Sequence, residues 1–287
     1  MSEISDSREE LVAVEPGVEL FYTRTGSGDM TLLLVPGWTM SAEVFQRQLN
    51  HYKGSVKVSC VSFDPRSHGR SSKPDHGHTY WHHGRDIAAV IDQLDLKNVV
   101  LVGWSFGTLA CLSYVRQFGG ESLAGLVMLD GPPRAVGSDN QSDWVTYRYD
   151  DADGQQAFYT LQRILAPSQT NAAFVDWLLE EPTDEARQWL LDITVQTPDY
   201  HASSLNATSN FLDFRDDLTS LNGVMPLLYV LREEQLPRVQ NWSQLHTPSA
   251  TVVGFGGHMM FWEQADRFNA LLDNFIEDCR SALGARV

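Results

Sequence analysis

The sequence predicts an α/β protein with a mostly parallel central sheet flanked by helices and an inserted helical cap. Three observations carry that reading. Apolar runs alternate with amphipathic stretches through VKVSCVSFD, RDIAAVIDQLDL, NVVLVGWS, GTLACLSYVRQF and LAGLVMLDGPP, the βαβ rhythm of a parallel sheet. The rhythm breaks after Pro133 and returns near residue 216, which marks an insertion. The 287 residues are 43% hydrophobic and include 8 Trp, 9 Tyr and 13 Phe, enough for one large core but short for two full domains.

Taken in order, residues 1–10 are polar and acidic and are expected to form a disordered leader, with the core running over 11–133 and 216–287. VELFYTRTG and DMTLLLVPGW are β-rich runs around Gly26-Ser27-Gly28, which predicts a hairpin-like start. An amphipathic SAEVFQRQLNHY, the strand VKVSCVSFD and the loop RSHGRSSKP follow. Residues 134–215 hold no clean apolar strand. Their helix-like pieces QQAFYTLQRILA, NAAFVDWLLEE and DEARQWLLDITV, rich in Trp and acidic residues, predict the helical cap. Strand signal returns at MPLLYVL and SATVVGF, and an amphipathic WEQADRFNALLDNFIEDCRSAL closes the chain.

The charge balance excludes several function classes. Net charge is −16 and no stretch gathers Lys and Arg into a patch, so nucleic acid and anionic membrane surfaces are not expected partners. Such an acidic surface favours solubility and salt tolerance. Cys60, Cys111 and Cys279 are odd in number and lack CxxC spacing, which fits a reducing compartment better than a disulfide framework and gives no support for a zinc site. The chain opens MSEISDSREELV without a basic, then apolar, leader, and no window reaches the ~18 apolar residues of a span, so a cytoplasmic, soluble protein is expected. The sequon at Asn206-Ala-Thr208 is then coincidental.

Gly103-Trp104-Ser105-Phe106-Gly107 is a G-x-S-x-G run with an apolar strand before it and a helix after it. A serine at so sharp a turn sits in strained backbone, and glycines on either side let strand, serine and helix approach closely. The helix start adds N–H groups where negative charge develops on a tetrahedral intermediate. Ser105 is the candidate nucleophile.

With this elbow, the VPGW turn, FDPRSHGRSSKP and GFGGHMMFWEQADRFN, nearly the whole chain resembles the α/β-hydrolase superfamily. The resemblance implies the α/β-hydrolase fold and a triad in the order Ser, acid, His on loops at the carboxyl edge of the sheet. His258 matches the last of these loops and is the candidate base, an imidazole able to take the serine proton near neutral pH. The acid has two candidates. Where most members carry G-x-x-D, this chain reads Arg232-Glu233-Glu234-Gln235, so the common acid position is lost. Asp130, 25 residues after Ser105 at the end of LVMLD, occupies the position used by other branches and is preferred over Glu234. The backbone N–H groups of Trp38 and Phe106 are the expected oxyanion hole. Met40, Trp104, Trp144, Phe158 and Trp177, with Tyr147, are expected to line an apolar substrate pocket. His68 is read as structural, and His76, His78, His82 and His83 as a solvated surface segment with no metal role.

The reading that follows is a serine hydrolase for a small apolar carboxylic ester or lactone, working through an acyl-enzyme without a cofactor. An alternative rests on a similarity to cofactor-independent dioxygenases that open 3-hydroxy-4-quinolone rings, in which a His–Asp pair deprotonates the substrate. Here Met40 and Trp104 or Phe106 stand where that family tends to carry further histidines. A non-enzymatic ligand receptor is a third class, which slow turnover with tight binding would mark. The aromatic, acidic cap favours neutral or cationic substrates over polyanions.

Overall fold

The computed structural model describes residues 7–138, 143–148, 152 and 174–285. Its centre is an eight-stranded sheet of β1 (Ser7–Glu15), β2 (Val18–Thr25), β3 (Met30–Val35), β4 (Val58–Phe63), β5 (Val99–Trp104), β6 (Leu123–Leu129), β9 (Leu227–Leu231) and β10 (Thr251–Gly254). The spatial order is β1-β2-β4-β3-β5-β6-β9-β10. From β4 to β10 every neighbouring pair is parallel, and β1 and β2 add an antiparallel edge. Strands β3 to β6 and β9 are buried along their whole length, which is why they read as unbroken apolar runs.

Helices cover both faces. On one, α2 (Tyr80–Gln93) and α3 (Gly107–Phe118) bury Ile87, Val90, Leu109 and Leu112 against Leu33, Val61 and Leu101. On the other, α1 (Gln46–His51) and the terminal α9 (Ala265–Gly284) bury Leu49, Phe268, Leu272 and Ile276 against Leu32, Leu34 and Val102. Alternation along β5 deals Leu101 to the first core and Val102 to the second. Each fully buried aliphatic side chain contributes about 1.5–3 kcal/mol of transfer free energy. Cys60, Cys111 and Cys279 are buried, and among the described residues they form no disulfide. Among the described residues no helix is long and apolar enough to cross a membrane.

Three expectations are corrected. The hairpin joins β1 to β2, not β2 to β3, since β4 lies between the latter two. Residues 7–10 belong to β1 rather than to a leader, because backbone pairing from Ser7↔Thr25 onward holds an edge strand whose side chains stay largely exposed. Between β6 and β9 the chain also forms β7 (Arg134–Gly137) and β8 (Val145–Arg148), a short parallel pair where no strand is expected. Four residues each are too few for a periodic signal. The same segment carries α4 (Asp184–Thr194), α5 (Asp199–Ser209) and α6 (Arg215–Ser220), and a helical turn at 174–178. DEARQWLLDITV becomes α4, whereas QQAFYTLQRILA lies outside the described residues. Helices α7 (Leu236–His246) and α8 (Met260–Glu263) complete the order.

Candidate active site

Ser105 sits between β5 and α3 with φ at 54°, a left-handed conformation that costs a non-glycine residue on the order of 1–3 kcal/mol. The surroundings over-determine it. Its N–H donates to Leu129 O at 2.8 Å, and its carbonyl accepts from Thr108 N–H at 3.0 Å and Thr108 Oγ1 at 2.6 Å. A Cβ at Gly107 would lie 2.5 Å from Val35 O, and one at Gly103 2.8 Å from Cys111 Sγ, so both flanking glycines are required by close approach. The VPGW turn closes over the serine, where a Cβ at Gly37 would stand 3.0 Å from Ser105 Cβ.

The end of β6 places Asp130, also left-handed at φ 44°, next to this turn. Its N–H donates to Val230 O at 2.8 Å. The side chain is 3% exposed, with Oδ2 against His258 Nδ1 in a short hydrogen bond and Oδ1 accepting from Arg232 N–H at 3.1 Å. Arg232 Nε lies 2.7 Å from Oδ2, a charge contact rather than an aligned hydrogen bond. His258 follows β10, is buried, and is anchored by Trp104 Nε1 donating to its carbonyl at 3.0 Å. Its ring packs against that of Trp104 at 5.2 Å and that of Trp177 at 4.5 Å. Burial depresses the imidazole below its usual value against the opposing pull of the Asp130 hydrogen bond and charge, and the Arg232 charge depresses it further. Burial alone would raise Asp130, but His258 and Arg232 together hold the carboxyl below its usual range. The pair therefore rests as carboxylate and neutral imidazole at neutral pH.

Among the described residues, neither Trp38 N–H nor Phe106 N–H donates to a protein acceptor. The Trp38 turn is held from three sides. Met40 N–H donates to Gly37 O at 3.1 Å, Thr39 N–H donates to His68 Nε2 at 3.1 Å, and the Trp38 indole donates to Ala202 O of α5 at 2.7 Å.

Of the remaining expected pocket residues, Met40 and Trp104 are fully buried, and Trp144 packs in the core against Tyr229 and Trp242. Trp144 belongs to the core on one face of the sheet, and Met40 and Trp104 to the core on the other, where Trp104 also touches His258. Tyr147 packs against the same core as Trp144, half-buried. Trp177 is 49% exposed and covers His258, and Phe158 lies outside the described residues. Glu234 is an exposed partner of Arg232 at 3.3 Å. The expectation of a solvated histidine segment is corrected at His78 and His83, both buried. Helix α2 begins at Tyr80 and turns His83 inward beside His68, while His78 stacks on His201 of α5 at 3.8 Å. Among the described residues, no cluster of His, Cys, Asp or Glu is arranged to hold a metal ion. The contacts made by Arg232, His68 and the Trp104 indole are invisible to pattern reading. Arg232 alone left a trace, as the residue standing where the family pattern has glycine.

A family model described as "Alpha/beta hydrolase family" matches residues 32–271. The chain belongs to the alpha/beta hydrolase family. This member is 25% identical over 276 residues to a putative non-heme chloroperoxidase of Synechocystis sp., covering 91% of this chain and 95% of the relative. Its fold is similar to that of an esterase from Exiguobacterium antarcticum, with TM-score 0.78, 20% identity and coverage of 94% and 100%. It is similar also to the N-acyl homoserine lactonase AidH complexed with N-butanoyl homoserine, with TM-score 0.73, 19% identity and coverage of 95% and 97%. This alpha/beta hydrolase thus has esterase, lactonase and chloroperoxidase neighbours.

Proposed function

We propose that this protein is a serine hydrolase that cleaves a small apolar carboxylic ester or lactone through an acyl-enzyme. The observation that carries the reading is the buried Asp130–His258 pair, tied through Trp104 and Leu129 to a strained Ser105 that is flanked by two uncommitted N–H groups. In this scheme His258 Nε2 takes the Ser105 Oγ proton as Oγ attacks the carbonyl carbon. The Trp38 and Phe106 N–H groups hold the oxyanion. Collapse expels the alkoxide, which takes the proton from His258, and water then repeats the sequence on the acyl-enzyme. No step needs a cofactor.

The half-exposed Trp177 ring over His258 supports an apolar substrate. An open groove of about 900 Å³ beside the His258 loop is lined by Glu180, Glu181, Glu185 and Glu263 against Arg47, an acidic excess that disfavours polyanions. The segment between β6 and β9 serves as the cap over this edge. The test is turnover of a chain-length panel of p-nitrophenyl esters and simple lactones by wild type and Ser105→Ala. Hydrolysis that disappears in the variant supports the acyl-enzyme. Esters left intact by wild type, with oxygen uptake on a 3-hydroxy-4-quinolone that survives Ser105→Ala, would replace it with base chemistry by the His–Asp pair.

A further inference from the structure

Arg232 is the departure from the family pattern that the proposed reaction leaves unused. It begins the turn after β9, the strand end at which most members of the resemblance carry their acid. Instead of supplying a carboxylate there, this strand end sends a guanidinium back to the carboxylate on β6. Its contacts are specific. Nε is 2.7 Å from Asp130 Oδ2, the backbone N–H is 3.1 Å from Asp130 Oδ1, and the guanidinium carbon lies 5.1 Å from the centre of the Trp177 ring. The side chain is 23% exposed while that of Asp130 is 3% exposed, so the ion pair sits at the inner wall of the site and is weakly screened.

We propose that Arg232 is a positioning residue of this site, which braces Asp130 with its backbone N–H on Oδ1 and its guanidinium against the Oδ2 that His258 also meets, and tunes the base through it. The inference rests on the hydrolase reading above. His258 holds Asp130 through Oδ2 alone, so the groups on the residue-232 side decide how firmly the carboxylate is oriented. The Arg232 backbone N–H takes Oδ1, and its guanidinium adds a charge contact to the Oδ2 that His258 uses, so both oxygens are held. Arg232 also places a fixed positive charge near the imidazole, which opposes protonation of His258, as the direction of that group's shift reflects. The charged groups around the pair are few. Asp130 and Arg232 face the ring from the ends of β6 and β9, Glu234 lies beyond Arg232, and Glu180 and Glu263 stand against Gly257. The Trp177 ring lies over both His258 and Arg232, so the inserted segment covers the arginine as well as the base.

The experiment compares wild type, Arg232→Lys and Arg232→Gln in the full chain. It reads the His258 titration midpoint by ring-nitrogen NMR and the acid limb of kcat/KM for the best ester, with thermal melts confirming the fold. Arg232→Gln removes the charge and is expected to move both midpoints to higher pH. Its plateau kcat should fall roughly tenfold, a fraction of the ~10²–10⁴ that general acid–base catalysis supplies. Arg232→Lys keeps the charge and loses the planar guanidinium beside Oδ2, so it should hold the wild-type midpoints while losing part of kcat. A merely structural arginine would lower stability and leave the midpoints in place, and superimposable NMR titrations of Arg232→Gln and wild type overturn the proposal. The NMR reading needs no substrate, so it judges Arg232 separately from the hydrolase reading. Ser105→Ala that keeps full ester turnover would sink that reading and the positioning role with it.

Discussion

His258 and His68 are both buried histidines with Nδ1 committed, and the proposed reaction gives them opposite work. His68 Nδ1 donates to Arg66 O at 2.9 Å, and its Nε2 accepts from Thr39 N–H at 3.1 Å. Both nitrogens are spent, the ring is fixed as one neutral tautomer, and burial pushes its pKa down to about 4. His258 Nδ1 meets a carboxylate instead of a carbonyl, and Nε2 bonds to no described residue. A carboxylate stabilises the imidazolium that a base must become, while a carbonyl only orients the ring. On the proposed reading, what separates base from brace is thus the partner of Nδ1 and the absence of a described partner at Nε2.

Breaking the carboxylate side has the largest expected effect. Asp130→Asn keeps the shape of the partner but its amide can present N–H to Nδ1, which favours the tautomer with the proton on the wrong nitrogen. A loss on the order of 10³–10⁴-fold in kcat is expected, with KM changed only a few-fold. Steady-state kinetics on one ester checks it. A loss under tenfold would mean that the acid lies elsewhere.

The brace is sharpened by a pair of substitutions. His68→Ala leaves the fully buried Thr39 N–H without an acceptor, a cost of about 1–3 kcal/mol in urea unfolding. It also frees the turn that aims Trp38 N–H, for an expected loss of about 10- to 100-fold in kcat, below that of deleting an oxyanion donor outright. His68→Gln can offer its side-chain oxygen where Nε2 stood and should recover most of both losses. Equal defects in the two variants would show that the Thr39 bond is not what matters.

Acid supplies a weaker perturbation of the same comparison. His68 and His78 are both held at about 4 against an unfolded value of 6.5, and His83 lies well below it, burial being the first cause in each. The unfolded chain therefore binds more protons between about pH 6.5 and 4, so stability should fall as pH drops through that window. Asp130, held below 3.8, loses its contribution only at lower pH. Urea midpoints at pH 7 and pH 5 decide, and equal midpoints would contradict the depressed histidines.

How much of this was legible follows from where each signal lives. The parallel strands were legible because they are buried on both faces and read as apolar runs, and Ser105 because close approach demands glycines around it. β1 was hidden, since SREELVAVE is an edge strand held by backbone pairing rather than by burial. The inward turn of His78 and His83 was hidden too, for it depends on α5 and the His68 loop, distant in sequence. Arg232 lies between these cases. A basic residue in a glycine's place is visible, but its partner 102 positions earlier is not.

The smallest effect is expected at the other carboxylate that the sequence offered. Glu234 follows β9 near the position where the family pattern has its acid, yet its side chain is 68% exposed and meets only the outer edge of Arg232 at 3.3 Å. An exposed ion pair of this kind is worth about 0–1 kcal/mol and is screened by salt. Arg232 keeps its hold on Asp130 without it, through a backbone N–H that no side-chain change at residue 234 removes. Glu234→Gln should therefore leave kcat within about twofold of wild type, and any residual difference should shrink as salt is raised. A loss as large as that of Asp130→Asn would move the acid to Glu234 and require the turn after β9 to rearrange when substrate binds. The contrast between the two carboxylates is thus one of burial and partner rather than of distance along the chain.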